Sequence, residues 1–322
     1  MIQKSIPKSL KTLQIPWVES PFFTELVNSI EISAFQKDKL KSFEEEGIMV
    51  LKLESEDLNE TISSLNKKIT PLFSDDTYSP DGNRIQDAWR HFSEVKEIAS
   101  MQKIFDWLSL IYQREPIPFQ TLNFKSGTEQ GAHSDTIHFH SLPHRFMAGV
   151  WIAFEDVDDD NGPLFYYPGS HRLPIFDFYD LGLHARDQMN LENPTEYYKR
   201  YSDFLKSVIK SHSLCRQSLK VKKGDAVIWA ANLIHGGMPV KDKSRTRYSQ
   251  VTHYYFDNSL YYTPMFSSPY LGEYYLKDVV NLSTNQPVEH FYLGKKYGNL
   301  LPEGKAKKEI SLLKSFRNLL SK

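Results

Sequence analysis

The strongest constraint on this chain is that two strand-like runs, far apart in sequence, each carry a histidine suited to a shared metal ion. The first lies within Gln120–Pro174 (QTLNFKSGTEQGAHSDTIHFHSLPHRFMAGVWIAFEDVDDDNGPLFYYPGSHRLP) and contains His133-Ser134-Asp135. Side chains alternate faces along a β-strand, so His133 and Asp135 point one way and Ser134 the other. The second run, KKGDAVIWAANLIHGG, ends in His235 and two glycines. Donors this distant can be brought together by a sheet that rolls up. The turn residues between them permit that.

An H-x-D tripeptide arises by chance in many chains, and a lone distal histidine is more often a packed or surface residue. The metal reading therefore rests on the flanking pieces and their order. Two histidines and one carboxylate on one face of a metal are the donor set of non-haem Fe(II) oxygenases. The strand FQTLNF, then HSD, GVWIAFEDVDDDNGPLFYYPGSH, KKGDAVIWAANLIHGG and SRTRYSQVTHYY together resemble the phytanoyl-CoA dioxygenase family of Fe(II)/2-oxoglutarate oxygenases. The resemblance runs from Phe35 to Phe256, and its motifs are ordinary singly and specific as a set.

The resemblance implies that His133, Asp135 and His235 hold Fe(II), leaving positions for a chelating 2-oxoglutarate and for O2. The distal carboxylate of 2-oxoglutarate calls for an arginine fork. Arg245 and Arg247 share a face by period two, so spacing does not choose between them. The family pattern favours Arg247, six residues before the pair His253-Tyr254. Trp151 matches a family tryptophan lining the co-substrate pocket, against the plainer reading of a core aromatic. Thr121 and Asn123 share one face of the preceding strand, and either is a candidate hydrogen-bond partner for the co-substrate. His171 falls in a strand-ending turn and is not read as a ligand; His138, His140 and His144 are left without roles. The implied activity is a hydroxylase acting on an unactivated C–H bond of a small polar metabolite or a glycan or natural-product precursor. Asp135 argues against halogenation, since halogenating relatives carry a small residue there. Desaturation and a non-catalytic jelly-roll binding protein are the alternatives.

The expected fold is α+β, a double-stranded β-helix (jelly-roll, cupin-like) core braced by N-terminal helices, in a single domain over 1–322. An N-terminal arm (1–31) precedes helices and β-core (32–256), and a C-terminal wrap follows (257–322). The spacing of Ile32, Phe35, Leu40 and Phe43 predicts a helix closed by Gly47, with a strand from Ile48. A second helix is predicted from Ser93, its apolar stripe running from Val95 to Tyr112 and ended by Pro116 and Pro118. Residues 73–88 read as a loop. The acidic run at 156–160 lacks the glycine and glutamate of a calcium loop and reads as a hairpin turn. Residues 175–212 form a helix-prone insertion which, with the turn at Pro80–Gly82, is expected to cover the mouth of the site. An amphipathic helix is predicted over Glu309–Ser321, with a homo-oligomer contact as one use. A net charge of −1 offers no field for nucleic acid or membranes, and the single cysteine, Cys215, excludes an internal disulfide. No apolar run suits a signal peptide or membrane span, so the expectation is a cytoplasmic protein with a small-molecule substrate.

Overall fold

The computed structural model describes residues 13–53, 55–185 and 195–298. In chain order the helices and strands are α1 (Phe23–Ser29), α2 (Ala34–Glu46), β1 (Ile48–Lys52), α3 (Glu56–Ile69), β2 (Arg84–Gln86), α4 (Ser93–Ala99) and α5 (Gln102–Tyr112). Then come β3 (Pro116–Phe124), β4 (His140–Leu142), β5 (Met147–Ala153), β6 (Leu164–Tyr166), α6 (Glu196–Ser211), β7 (Gln217–Leu219) and β8 (Asp225–Ala230). They are followed by β9 (His235–Gly237), β10 (Ser249–Phe256), β11 (Leu260–Tyr262) and shorter hairpins beyond. A major antiparallel sheet runs in the order β1-β8-β5-β10-β3-β2, and a minor one in the order β7-β6-β9.

Local chemistry explains the frame. Ser33 and Gln36 form a reciprocal capping box at the start of α2, and Gly47 ends that helix at φ 80°. One face of the major sheet presents Ala148, Val150, Ile152, Ala226, Ile228 and Tyr254 to a core shared with α2 to α5. The other presents Trp151, Val227, Trp229 and Val251, which pack with Tyr166 and Val221 of the minor-sheet region. The site lies on this second, inner side.

Several expectations need correction. The described part of the N-terminal arm enters the core: Trp17, Val18, Phe23 and Val27 are buried, and the Trp17 indole donates to the Leu110 carbonyl at 2.8 Å. The single helix from Ser93 is two, because Met101 is extended (ψ 127°) and starts a new helix. Periodicity counts spacing, and both pieces bury their stripe on the same sheet face, so the break leaves no mark on the pattern. Pro116 and Pro118 begin β3 rather than end a helix. There β3 is paired by β10 but not yet by β2, and a register shift at His253/Tyr254 absorbs the residue between Pro118 and Gln120. The loop over 73–88 contains the short β2. The acidic run is a crossover between sheets and not a hairpin, since β5 lies in the major sheet and β6 in the minor. The helix over Glu309–Ser321 and part of the insertion, 186–194, lie outside the described residues.

Candidate metal centre

His133 and His235 sit opposite each other in an isolated antiparallel bridge that extends the minor sheet. Asp135 follows not on a strand but as the first residue of a 3-10 turn, Asp135–Ile137. The alternation of faces still brings Asp135 alongside His133, because the chain is extended at Ser134. Donor atoms of the three residues lie within 4.8 Å of one another. The His133 Nε2 is 3.8 Å from Asp135 Oδ1, and the His235 Nε2 is 4.0 Å from the same oxygen.

The tautomers follow from the hydrogen bonds. His133 Nδ1 lies 2.9 Å from the Gly131 carbonyl, and His235 Nδ1 lies 2.9 Å from the Leu233 carbonyl. A carbonyl only accepts, so both Nδ1 atoms carry a proton and the Nε2 atoms are the ones turned toward Asp135. Burial and the neighbouring His235 push the His133 imidazole down to about 3, keeping it neutral and available as a ligand. Burial pushes Asp135 upward, but His235, His253, His133 and a hydrogen bond from Trp229 outweigh it and hold the carboxyl below its ordinary range. Two neutral imidazoles and one carboxylate are what a divalent cation requires.

The inner face of the major sheet supplies the floor. Trp229, Gly149, His253 and Gln120 are successive cross-strand partners and form one row. The Trp229 indole donates to Asp135 Oδ2 at 2.7 Å, and His253 Nε2 lies 3.9 Å from that oxygen. His253 Nδ1 is 3.0 Å from Gln120 Oε1. Burial lowers His253 to about 4. None of these four was singled out as a site residue from the sequence. A glycine within the strand run GVWIAF was a usable signal, since it marks a close approach. A Cβ on Gly149 would collide with the Trp229 indole.

Arg247 and Arg245 separate completely. Both precede β10 rather than lying on it. Arg245 is partly exposed and pairs with Asp158 at 2.8 Å. Arg247 is 1% exposed, sits 5.5 Å over the Trp151 ring, donates to the Gly162 carbonyl and leaves Nε without a partner. Burial lowers it to about 10. Trp151 is also buried, and its Nε1 lacks a partner. Two donors left unsatisfied in one buried place are unusual for a folded interior and suit an anionic ligand.

Thr121 is not brought to this cluster. It pairs opposite Thr252, whose hydroxyl accepts from Gln250, and Gln250 donates to the Val95 carbonyl of α4. Thr121 and Asn123 therefore face the helices, on the side opposite Trp151. The two residues do share a face, and that face is turned away from His133, Asp135 and His235.

Of the remaining histidines, His138 packs 5.4 Å from Tyr198 of α6, and burial lowers it to about 4. His140 and His144 lie 4.8 Å apart with their rings tilted by 43°, and neither belongs to the cluster of possible ligands. His171 contacts the Glu44 carbonyl beside Gly47 and plays no part in the cluster. The insertion does reach the site: Tyr201 and Leu205 of α6 pack in one cluster with Ile137 and Ile234, each adjacent in sequence to a ligand segment.

The phytanoyl-CoA dioxygenase family profile matches residues 31–247. Phytanoyl-CoA dioxygenase domain-containing protein 1 of Danio rerio is 34% identical over 84 residues, which is 25% of this chain and 28% of that protein. Its homolog in Dictyostelium discoideum is 29% identical over 167 residues, 50% of this chain and 54% of that protein. The matched region thus spans about half or less of these relatives. The iron-bound crystal structure of EctD from S. alaskensis is similar at a TM-score of 0.56 and 18% identity, covering 84% of this chain and 89% of that one. At that identity the likeness concerns the fold, a mixed arrangement of helices and antiparallel sheets.

Proposed function

The chain belongs to the phytanoyl-CoA dioxygenase family, and on that premise we propose an Fe(II)- and 2-oxoglutarate-dependent dioxygenase that hydroxylates an unactivated C–H bond. The substrate class proposed is a small polar metabolite or a glycan or natural-product precursor. The observation that carries this reading is the convergence of the His133 and His235 Nε2 atoms on Asp135 Oδ1. On the same reading the major and minor sheets are the two halves of a double-stranded β-helix in one domain.

The residues fit the group. His133, Asp135 and His235 would hold iron, which when bound supplies O2 activation coupled to the oxidative decarboxylation of 2-oxoglutarate. The two Nδ1–H bonds to carbonyls fix each imidazole before any ligand arrives, so little reorganisation is needed. Asp135 contributes a negative charge that offsets the cation. Arg247 and Trp151 would take the distal carboxylate of 2-oxoglutarate in a buried place, where a charge-assisted pair gains most. Substrate polarity is supported by the cations near the ligands. Lys277 lies 5.0 Å over the Phe139 ring, and Lys277 and Arg84 both add positive potential at His138. Tyr198 and Tyr201 of α6 cover the ligand segments and help exclude water.

The test is succinate formation from 2-oxoglutarate by anaerobically loaded Fe(II) protein on admission of O2. Wild type is expected to form succinate above the level of Asp135→Ala, which should bind no iron. Wild type that binds no Fe(II), or that consumes 2-oxoglutarate no faster than the variant, overturns the reading.

A further inference from the structure

We propose that Trp229 is a positioning residue that holds Asp135 as a one-oxygen ligand. The inference rests on the oxygenase reading and concerns how the site keeps its metal open. The two carboxylate oxygens of Asp135 have different surroundings. Oδ1 faces the Nε2 atoms of His133 and His235, at 3.8 and 4.0 Å. Oδ2 is turned away from them, into the 2.7 Å hydrogen bond from the Trp229 indole. All four side chains are buried, and the indole is the hydrogen-bond partner of Oδ2 alone.

The distinction matters for coordination. A carboxylate free to rotate chelates a cation through both oxygens and takes two positions. Three protein donors that fill three positions of an octahedral ion leave three, which a chelating 2-oxo acid and one O2 use completely. If Asp135 chelated, one of those reactants would lose its place. An indole N–H bonded to Oδ2 opposes that rotation, because turning Oδ2 toward the metal would leave a buried donor unsatisfied. Indole suits the task, being a donor only, rigid and uncharged.

The surroundings are shaped around this indole. The Trp229 ring lies 4.9 Å from that of His235, tilted by 45°, so the same ring braces a second ligand. Gly149, its cross-strand partner, leaves the space in which the indole lies; a Cβ there would collide with Cε2, Cζ2 and Nε1. The inner face thus gives up a side chain at one position to admit the donor at the next.

The experiment uses Co(II) as a spectroscopic probe in the full chain. Wild type is expected to bind Co(II) with a d–d spectrum that Asp135→Ala abolishes. Trp229→Phe, which keeps an aromatic ring and removes the donor, should weaken Co(II) binding by about tenfold to a hundredfold. It should also change the shape and intensity of the d–d bands, as a change in carboxylate denticity requires. The thermal midpoint of the metal-free variant should stay near wild type, a pattern that a purely structural loss would not produce. Gly149→Ala, which displaces the indole without deleting it, should reproduce the spectral change. Wild-type affinity and an unaltered spectrum in Trp229→Phe overturn the proposal while leaving the oxygenase reading in place; a wild type that binds no Co(II) overturns both. Should either variant fail to fold, zinc-loaded wild type labelled with 15N at its indoles decides. A resonance protected from exchange that moves on zinc binding supports the proposal, and five unmoved resonances, one for each tryptophan, overturn it.

Discussion

Alternate residues of β3, β5, β8 and β10 face opposite ways, and the two sets differ in kind. Toward the helices lie Val150, Ile152, Ala226, Ile228 and Tyr254, with a polar strip in which Asn123, Gln250 and Thr252 bond to one another and to α4 while the Thr121 hydroxyl has no partner. Toward the minor sheet lie Gln120, Gly149, Trp151, Trp229 and His253; Trp229 and His253 approach Asp135, Gln120 bonds to His253, and Trp151 lies beneath Arg247. The helix-facing set closes a core. The inner set holds titratable groups in the same degree of burial, with the Trp151 indole N–H unpartnered beside Arg247, which costs stability unless a metal and an anion complete the site. Stability and chemistry are thus carried by neighbouring residues of one strand.

Substitutions can break or sharpen that contrast. The largest effect after loss of Asp135 is expected at Arg247. Arg247→Ala should raise the KM for 2-oxoglutarate by an amount corresponding to about 2–5 kcal/mol, the cost of a buried charge pair left half made. Steady-state kinetics with 2-oxoglutarate varied will show it, and an unchanged KM would mean the co-substrate lies elsewhere. Ile152→Ala, on the helix face, should do the reverse. It should lower unfolding free energy by roughly 2–5 kcal/mol through the cavity it leaves, with the KM for 2-oxoglutarate unmoved. Denaturant titration read beside kinetics separates the two.

Acid should act through the inner face. In the unfolded chain His133, His138 and His253 take up protons below their ordinary value of 6.5, whereas in the fold burial holds them at about 3, 4 and 4. Between those limits the unfolded state binds more protons, so stability falls as pH drops from about 6.5, with the His138 and His253 contributions levelling off near 4 and that of His133 near 3. Each histidine adds up to about tenfold in the folding equilibrium per pH unit. Denaturation of metal-free protein at pH 7 and pH 5 should show that loss, and His253→Phe should make the slope shallower. The smallest effects are expected at Arg245→Ala and Thr121→Val. One removes a solvent-screened pair with Asp158 and the other a hydroxyl facing the helices, so both should leave the KM for 2-oxoglutarate within about threefold. A large rise in the Thr121 variant would overturn the assignment of faces.

Much of this was legible in residue order. His133, Asp135 and His235 were recognisable by type and by the strand-like runs around them, and Gly47 marked the end of α2. What was missed shares a cause. The stripe from Val95 to Tyr112 survives a break in the helix because spacing is indifferent to backbone continuity. The acidic crossover resembles a hairpin because turn residues announce a reversal but not which sheet the chain enters next. Trp229 and His253 are single residues whose role depends on a partner far away in the chain.

The chain by itself determined the donor types, the alternation that keeps His133 and Asp135 together, and the parity linking Thr121 to Asn123 and Arg245 to Arg247. Tertiary structure decided which parity faces the metal. The burial of β5, β8 and β10 explains why: every residue of each strand is buried, so neither face carries the polar signature that would distinguish inside from outside. The same packing set Arg247 apart from Arg245. One guanidinium reaches Asp158 at the surface while the other, two residues on, is enclosed above Trp151, a difference that arises only once β6 and its connection cross from one sheet to the other.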